Sequence, residues 1–513
     1  MPLIPTYTDA GGDSSTFTRR SDLKHAVLPH ERAIYVSFAE TFAPYLAEMV
    51  GTFILTMTFM CNYGPSADPV WAATSNAFMV AALVYAFYHV SGANLNPSVS
   101  IALIFAGRHT PRVAMRLCFA QTIGAVLAAL LRMQVSAHTD IDIGPFYQRS
   151  WSQVGLVEVL YTAMISFTYL NCAASIRNNP VGNQNGFIGL AMGFCYIASG
   201  YASRHISNSV TNPAIAIGLA IVDSRTKFNG TGLWYFVYDI FGALLGASAY
   251  RVVRPTEVAN PESMDGPEDK DPISAQVAAE FIGTFYLVFT KALNRLGMDA
   301  HSETNLGPEA WSVAAVISAM VYSLKGVSGA CFNPSVSLAM WMCGKSTGRV
   351  AAVSATIQVL AGVTAMSLYA ALAREGISIR LDREQTMGAI AFAETAFTFL
   401  LCYVVLGTGA VGGSGPKSRP NNVAGLTYGA CHTVGGFAIG NVSGSLLNPA
   451  VVAAFGGLNI LTLQWNQGCF VYIFYEVFGA LLASLAYTAT HTYAAINAAR
   501  LKDEDRSTPR PAA

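Results

Sequence analysis

Two eleven-residue stretches constrain this chain more than any other feature. "VSGANLNPSVS" begins at Val90 and "VSGACFNPSVS" at Val327, and they differ at two of eleven positions. A second pair, "TNPAIAIG" from Thr211 and "LNPAVVAAFG" from Leu447, follows them. Asn96 to Asn333 is 237 residues and Asn212 to Asn448 is 236, so each half carries two Asn-Pro motifs, 116 or 115 residues apart. Spacing this regular identifies a tandem duplication.

The solvent of the fold follows from composition. Apolar residues make up 53% and charged residues 12%, about half the charged share of soluble domains. Apolar segments long enough to cross a bilayer recur at about 37–60, 69–90, 112–131, 152–172, 183–203 and 232–251. They recur again at 273–293, 309–326, 350–371, 387–407, 422–440 and 468–492. The polar segment between the sets cannot span. The expected architecture is an all-α membrane protein of two tandem units, each with six transmembrane helices and two re-entrant half-helices. The expected divisions are a cytosolic tail at 1–32, unit 1 at 33–253, a linker at 254–272, unit 2 at 273–494 and a cytosolic tail at 495–513, the last read as mobile.

Residues 1–32 are polar and lack the apolar core of a cleavable signal. Six spans per unit give both units the same orientation, while three spans between the motifs of one unit bring them in from opposite faces. Arg108, Arg112, Arg116 and Lys345 on the predicted inner side, against Arg132 and Arg149 outside, support cytosolic termini by a small margin. Net charge is zero, with 30 basic and 30 acidic residues, and nothing in the sequence looks like the basic footprint that nucleic acid requires. Cysteines such as Cys118, Cys343, Cys402 and Cys469 sit in apolar runs and read as small buried hydrophobes; no metal or other cofactor is implied.

Each Asn-Pro motif opens an apolar run too short to cross. About ten helical residues cover about 15 Å, so such a helix begins near mid-membrane. Proline suits the first turn, where its missing N–H needs no partner, and the asparagine caps backbone groups while offering its amide to a lumen. Two such helices meeting end to end put two positive dipole ends at the centre. A cavity there offers hydrogen bonds to neutral polar solutes and repels cations.

These boxes and their spacing resemble the aquaporin, or major intrinsic protein, family from about residue 37 to 493. The resemblance implies that Asn96-Pro97-Ser98, Asn212-Pro213-Ala214, Asn333-Pro334-Ser335 and Asn448-Pro449-Ala450 are the boxes whose asparagines meet solute. Both first boxes carry serine where the family usually has alanine; its hydroxyl either alters local packing or donates into the helix. The resemblance also implies buried glutamates that accept N–H groups of the irregular loops: Glu48 and Glu280 in "AEMVGTF" and "AEFIGTF", and Glu158 and Glu394, each 54 residues before its second-box asparagine.

The selectivity filter departs from that pattern. Where the family usually places arginine after the second box, Ile215 and Val451 stand. The fifth-helix position lands on Gly200 and Gly436, the loop position on Ser209 and Ser445, and the second-helix position near Asn76 and Val313. These filters read as wide or apolar: either wide enough for glycerol or urea, or greasy enough to resist wetting. Arg204 is a solvent-facing loop residue or a substitute donor. His89 is a gate or a packed group, and His432 is pore-lining or a packing group. "NGT" at Asn229 is a glycosylation candidate, whereas "NVS" at Asn441 falls in the re-entrant loop and is expected to be masked.

The resemblance therefore implies passive transport of water and/or small neutral solutes such as glycerol or urea, one pore per unit. No phosphate-binding loop or charged relay suggests energy coupling, and no nucleophile set suggests an enzyme. The family's tetramers suggest a homodimer that completes a four-pore assembly. The plasma membrane is the default location, with an internal membrane open. The alternative is a non-conducting structural or adhesive protein that retains the scaffold, motivated by the missing filter arginines.

Overall fold

A computed structural model describes residues 29–62, 69–135, 143–145, 149–179, 185–222, 230–259, 271–296, 306–373, 385–409, 423–461 and 470–507. Asn229, Cys469, most of the linker (260–270) and residues 1–28 and 508–513 lie outside them. All regular structure among the described residues is helical.

The first half runs α1 (Pro29–Cys61), α2 (Pro69–Ser91), α3 (Pro97–Phe105), α4 (Pro111–Val135), α5 (Trp151–Tyr169, continued by a π turn, Leu170–Ala174), α6 (Ile188–Ser207), α7 (Pro213–Val222) and α8 (Thr231–Val253). A short α9 (Pro255–Ala259) lies in the linker. The second half repeats the order with α10 (Ile273–Leu296), α11 (Leu306–Ser328), α12 (Pro334–Met342), α13 (Gly348–Ala373), α14 (Met387–Gly409), α15 (Ala424–Ser443), α16 (Pro449–Leu461) and α17 (Val471–Ser507). The chain divides into two compact units, one of Met1–Tyr196 with Arg204–Arg251, the other of Val252–Ala513 with Ile197–Ser203.

Ten of the described helices are long and apolar enough to cross a membrane. The other two long ones, α6 and α15, have 20 residues each, about 30 Å, and carry more polar side chains, among them Arg204, His205 and His432. The four short helices α3, α7, α12 and α16 have 9, 10, 9 and 13 residues, so each reaches partway through a bilayer. All four open on the proline of an Asn-Pro box.

Two expectations change at the ends of helices. Asn441 lies in the last turn of α15 and is exposed, not masked in a loop. α17 continues to Ser507 rather than ending near 492, because "AAINAARLKDEDR" is rich in strong helix formers.

Within the first half α1 packs on α2 and α4; within the second, α10 packs on α11 and α13, and α14 on α17. The "AE..GTF" stretch explains one close approach. A Cβ on Gly51 would fall on the Leu95 side chain, and one on Gly283 would fall on the Phe332 ring. Glycine leaves room for the residue that precedes each first-box asparagine. Large apolar side chains such as Phe119, Phe392 and Phe474 are at least two-thirds exposed, a surface suited to lipid rather than water.

Candidate functional site

The loops entering the half-helices are strained in the same way in both units. Gly92, Ala93 and Leu95 have positive φ, and so do Gly329, Ala330 and Phe332. Before the second boxes the pattern is Asn208, Ser209 and Thr211 in unit 1 and Gly444, Ser445 and Leu447 in unit 2. Left-handed non-glycine residues cost about 1–3 kcal/mol each, and local hydrogen bonds must offset that cost.

The buried glutamates supply those bonds. Glu48 accepts Ser91 Oγ (2.7 Å), Asn94 N (2.8 Å), Leu95 N (2.7 Å) and Gln121 Nε2 (2.7 Å). Glu280 repeats the set with Ser328 Oγ (2.6 Å), Cys331 N (3.0 Å), Phe332 N (2.8 Å) and Gln358 Nε2 (2.7 Å). Glu158 accepts the Ser207 hydroxyl, Val210 N (3.1 Å) and Thr211 N (2.6 Å). Glu394 accepts the Ser443 hydroxyl, Leu446 N (3.1 Å) and Leu447 N (2.9 Å). All four carboxylates are at most 1% exposed, where only saturated acceptors are tolerated.

The loops so held bring the two boxes of each unit together. Asn96 Nδ2 donates to Thr211 O at 2.8 Å, and Asn212 Nδ2 donates to Leu95 O at 2.9 Å. Asn333 Nδ2 donates to Leu447 O at 2.7 Å, and Asn448 Nδ2 to Phe332 O at 2.9 Å. Each asparagine thus crosses to the carbonyl just before its counterpart. Its Oδ1 caps its own helix, accepting from Ser98 N, Ala214 N, Ser335 N and Ala450 N at 2.9–3.0 Å. Pro97, Pro213, Pro334 and Pro449 hold the first helical position. The two serines behave differently: Ser98 Oγ donates to the Asp239 carbonyl at 3.1 Å, whereas Ser335 Oγ has no hydrogen-bond partner among the described residues.

The filter positions of unit 2 converge on one small cavity. It is lined by Val313, Gly436 and Ser445, with Lys291, Glu309, Ala310, His432, Gly440 and Gly444, and it holds about one water molecule. Val451 is absent from its described lining and is 1% exposed. This cavity is small and partly polar. A Cβ on Gly436 would meet Ala310, so the glycine lets α15 approach α11 instead of widening the passage. The space carries an ion pair, Lys291 Nζ to Glu309 Oε1 at 2.8 Å, both side chains 6% exposed. His432 lines the cavity and stacks on Tyr428 with centroids 5.9 Å apart.

In unit 1, Asn76 accepts Asn62 Nδ2 at 2.6 Å, Ser209 N is held by Ser207 Oγ at 3.2 Å, and Ile215 is fully buried. Gly200 lies within α6. Arg204, read as a loop residue, belongs to the last turn of α6. His89 is exposed and packs edge-on against Tyr88.

Several side chains at these sites escaped the sequence reading. Gln121 and Gln358 bridge the first-helix glutamate to Ser100 or Ser337 of the half-helix at 3.1 and 3.0 Å. Asp239 and Glu476 are fully buried on α8 and α17; Glu476 accepts Asn448 N at 2.7 Å, and Asp239 accepts Thr162 Oγ1 at 2.8 Å. Both pairs stand 237 residues apart in matching segments, a repeat signal that would have found them. Tyr196 OH lies 3.4 Å from Asn96 Nδ2. It stands 16 residues before Asn212, as His432 does before Asn448.

This is the scaffold of an integral membrane channel: half-helices joined tip to tip at capped asparagines, among helices long and apolar enough to cross a membrane. The sequence pattern of the Major intrinsic protein family matches residues 35–250 and again 268–487, and the chain belongs to that family. It is 30% identical over 223 residues to Aquaporin NIP1-1 of Zea mays, covering 42% of this chain and 74% of that one. It is also 30% identical over 231 residues to Aquaporin Z of Rhodopseudomonas palustris, covering 41% and 93%. A structural comparison aligns it with the aquaglyceroporin from Plasmodium falciparum, with 18% identity over 42% of this chain and 98% of that one, at a TM-score of 0.35.

Proposed function

We propose that the protein is a passive channel for water and small neutral solutes such as glycerol or urea, with a separate pathway inside each unit. The units are taken as 33–253 and 273–494, joined by the linker at 254–272, with cytosolic tails at 1–32 and 495–513. The observation that carries this reading is the reciprocal locking of the boxes. Each amide of Asn333 and Asn448 spends one N–H on the opposite loop, and an NH₂ group has a second to offer a passing oxygen. The four box asparagines act as solute donors, the four glutamates hold the loops, and residues 76, 200, 209, 215, 313, 436, 445 and 451 surround the narrow ends. Two chains pairing in the plasma membrane complete a four-pore assembly.

A specific observation favours a second reading, a non-conducting scaffold. Tyr196 meets the Asn96 amide in unit 1, and Lys291 covers the carbonyls of Gly444 and Ser445 in unit 2. Stopped-flow light scattering of vesicles containing the purified full chain separates the two. The channel reading expects faster osmotic shrinkage than in empty vesicles, with water, glycerol and urea compared on one preparation. Rates equal to those of empty vesicles for all three would establish the scaffold reading.

A further inference from the structure

We infer that Lys291, paired with Glu309, is the specificity-determining cation of unit 2's filter, supplied by α10 in place of the arginine missing at position 451. This rests on the channel reading for its purpose, but not for its geometry. Lys291 Nζ lies 2.8 Å from Glu309 Oε1, and donates to Ser445 O at 3.1 Å and Gly444 O at 3.3 Å. Those three bonds use all the donors of an ammonium. The two carbonyls belong to the left-handed loop that leads into Asn448, where a permeating solute would otherwise find acceptors.

Glu309 is held from behind. Arg295 Nε and Nη2 reach its two oxygens at 3.2 Å each, a bidentate grip that fixes the carboxylate plane. Glu309 also sits in the first turn of α11, where the helix dipole favours an anion. Glu394 lies within electrostatic reach of Lys291, but its oxygens are engaged by Ser443, Leu446 and Leu447. His432 Nε2, buried in the same cavity wall, has no hydrogen-bond partner among the described residues. Lys291 and Glu309 thus spend their hydrogen bonds on each other, on Arg295 and on the loop carbonyls, so the wall offers a solute the field of a fixed cation and one uncommitted imidazole nitrogen. That set admits a neutral hydroxyl- or amide-bearing solute through the imidazole and repels inorganic cations and ammonium. Unit 1 has no such pair: the positions matching Lys291 and Glu309 at the 232- and 237-residue offsets of the repeat are Phe59 and Ala72. The two pathways thus differ in selectivity.

Charge-selective thiol labelling tests the assignment without requiring conduction. Ser445→Cys is introduced into the full chain in vesicles. Cationic aminoethyl, neutral methyl and anionic sulfonatoethyl methanethiosulfonates are compared, with labelling at position 445 read by peptide mass spectrometry. Adding Lys291→Met is expected to raise the cation-to-anion rate ratio by about tenfold or more, and adding Glu309→Gln to lower it, as expected for a charge removed within a few ångströms. An introduced thiol that is inert until Lys291 is removed would equally support the inference, as a latch. A ratio within twofold of the parent in both variants, or inertness in all three proteins, would overturn it. Vesicle flux separates the two readings. A shifted ratio without flux leaves Lys291 in place and removes the channel, whereas normal flux with an unshifted ratio does the reverse.

Discussion

Asn333 and Leu447 are joined by a hydrogen bond of 2.7 Å, from the side-chain amide of one half-helix cap to the backbone carbonyl leading into the other. Asn96 and Thr211 repeat the bond at 2.8 Å. Two helices that enter from opposite ends are held at their tips by bonds that neither could make alone.

Asn333→Ala removes both the cap and the cross-bond. Leaving Leu447 O unpaired and Ser335 N uncapped is expected to cost about 2–4 kcal/mol. Asn333→Asp keeps the acceptor but loses the donor, and is expected to lie between. Thermal unfolding in detergent should rank wild type, Asp and Ala in that order.

The Glu280 carboxylate accepts four hydrogen bonds. Glu280→Gln turns one oxygen into a donor that faces donors, at an expected cost of about 3 kcal/mol or more. Gln358→Leu removes a single donor and should cost about 1–2 kcal/mol. Detergent-solubilised yield and unfolding temperature of the two variants would test this order.

Glu476 and Asp239 occupy the same repeat position but differ by one methylene. Glu476→Asp withdraws the acceptor from Asn448 N, and is expected to destabilise by about 1–3 kcal/mol. Asp239→Asn keeps an acceptor for Thr162 Oγ1 and should be milder. A similar unfolding shift for both would contradict the assignment of Glu476 to the second-box backbone.

Gly283→Ala places a methyl group on the Phe332 ring, and the ring must move. An overpacking cost of about 1–3 kcal/mol is expected. The companion Phe332→Leu should recover part of it, which a double-mutant cycle on unfolding temperature would measure.

Tyr196→Ala clears the phenol from the Asn96 amide. If the phenol obstructs unit 1, water permeability of reconstituted vesicles should rise at least twofold, while Tyr196→Phe, which keeps the ring, should change it less. Equal permeability in all three proteins would remove Tyr196 as an obstruction.

The duplication, the helical membrane class and the four capped half-helices were legible in the sequence. They depend on local chemistry and on spacing: proline at a first turn, asparagine as a cap, apolar runs of span length. Glu48, Glu280, Glu158 and Glu394 were reached through the family resemblance, and the need of a buried carboxylate for donors gives the physical reason for their place. The matching positions of Gln121 with Gln358 and of Asp239 with Glu476 were written in the same repeat and went unread.

The lining of the small cavity in unit 2 was decided by tertiary structure alone. The family's spacing from the boxes points to Gly436 and Val451 but says nothing of what stands opposite them. Folding sets α11 against Gly436 and brings Lys291 and Glu309, 18 residues apart on different helices, to 2.8 Å. The space that a side chain leaves, and the charge that enters it, depend on which helix stands opposite. Linear spacing carries no record of that neighbour, whereas the packed fold does.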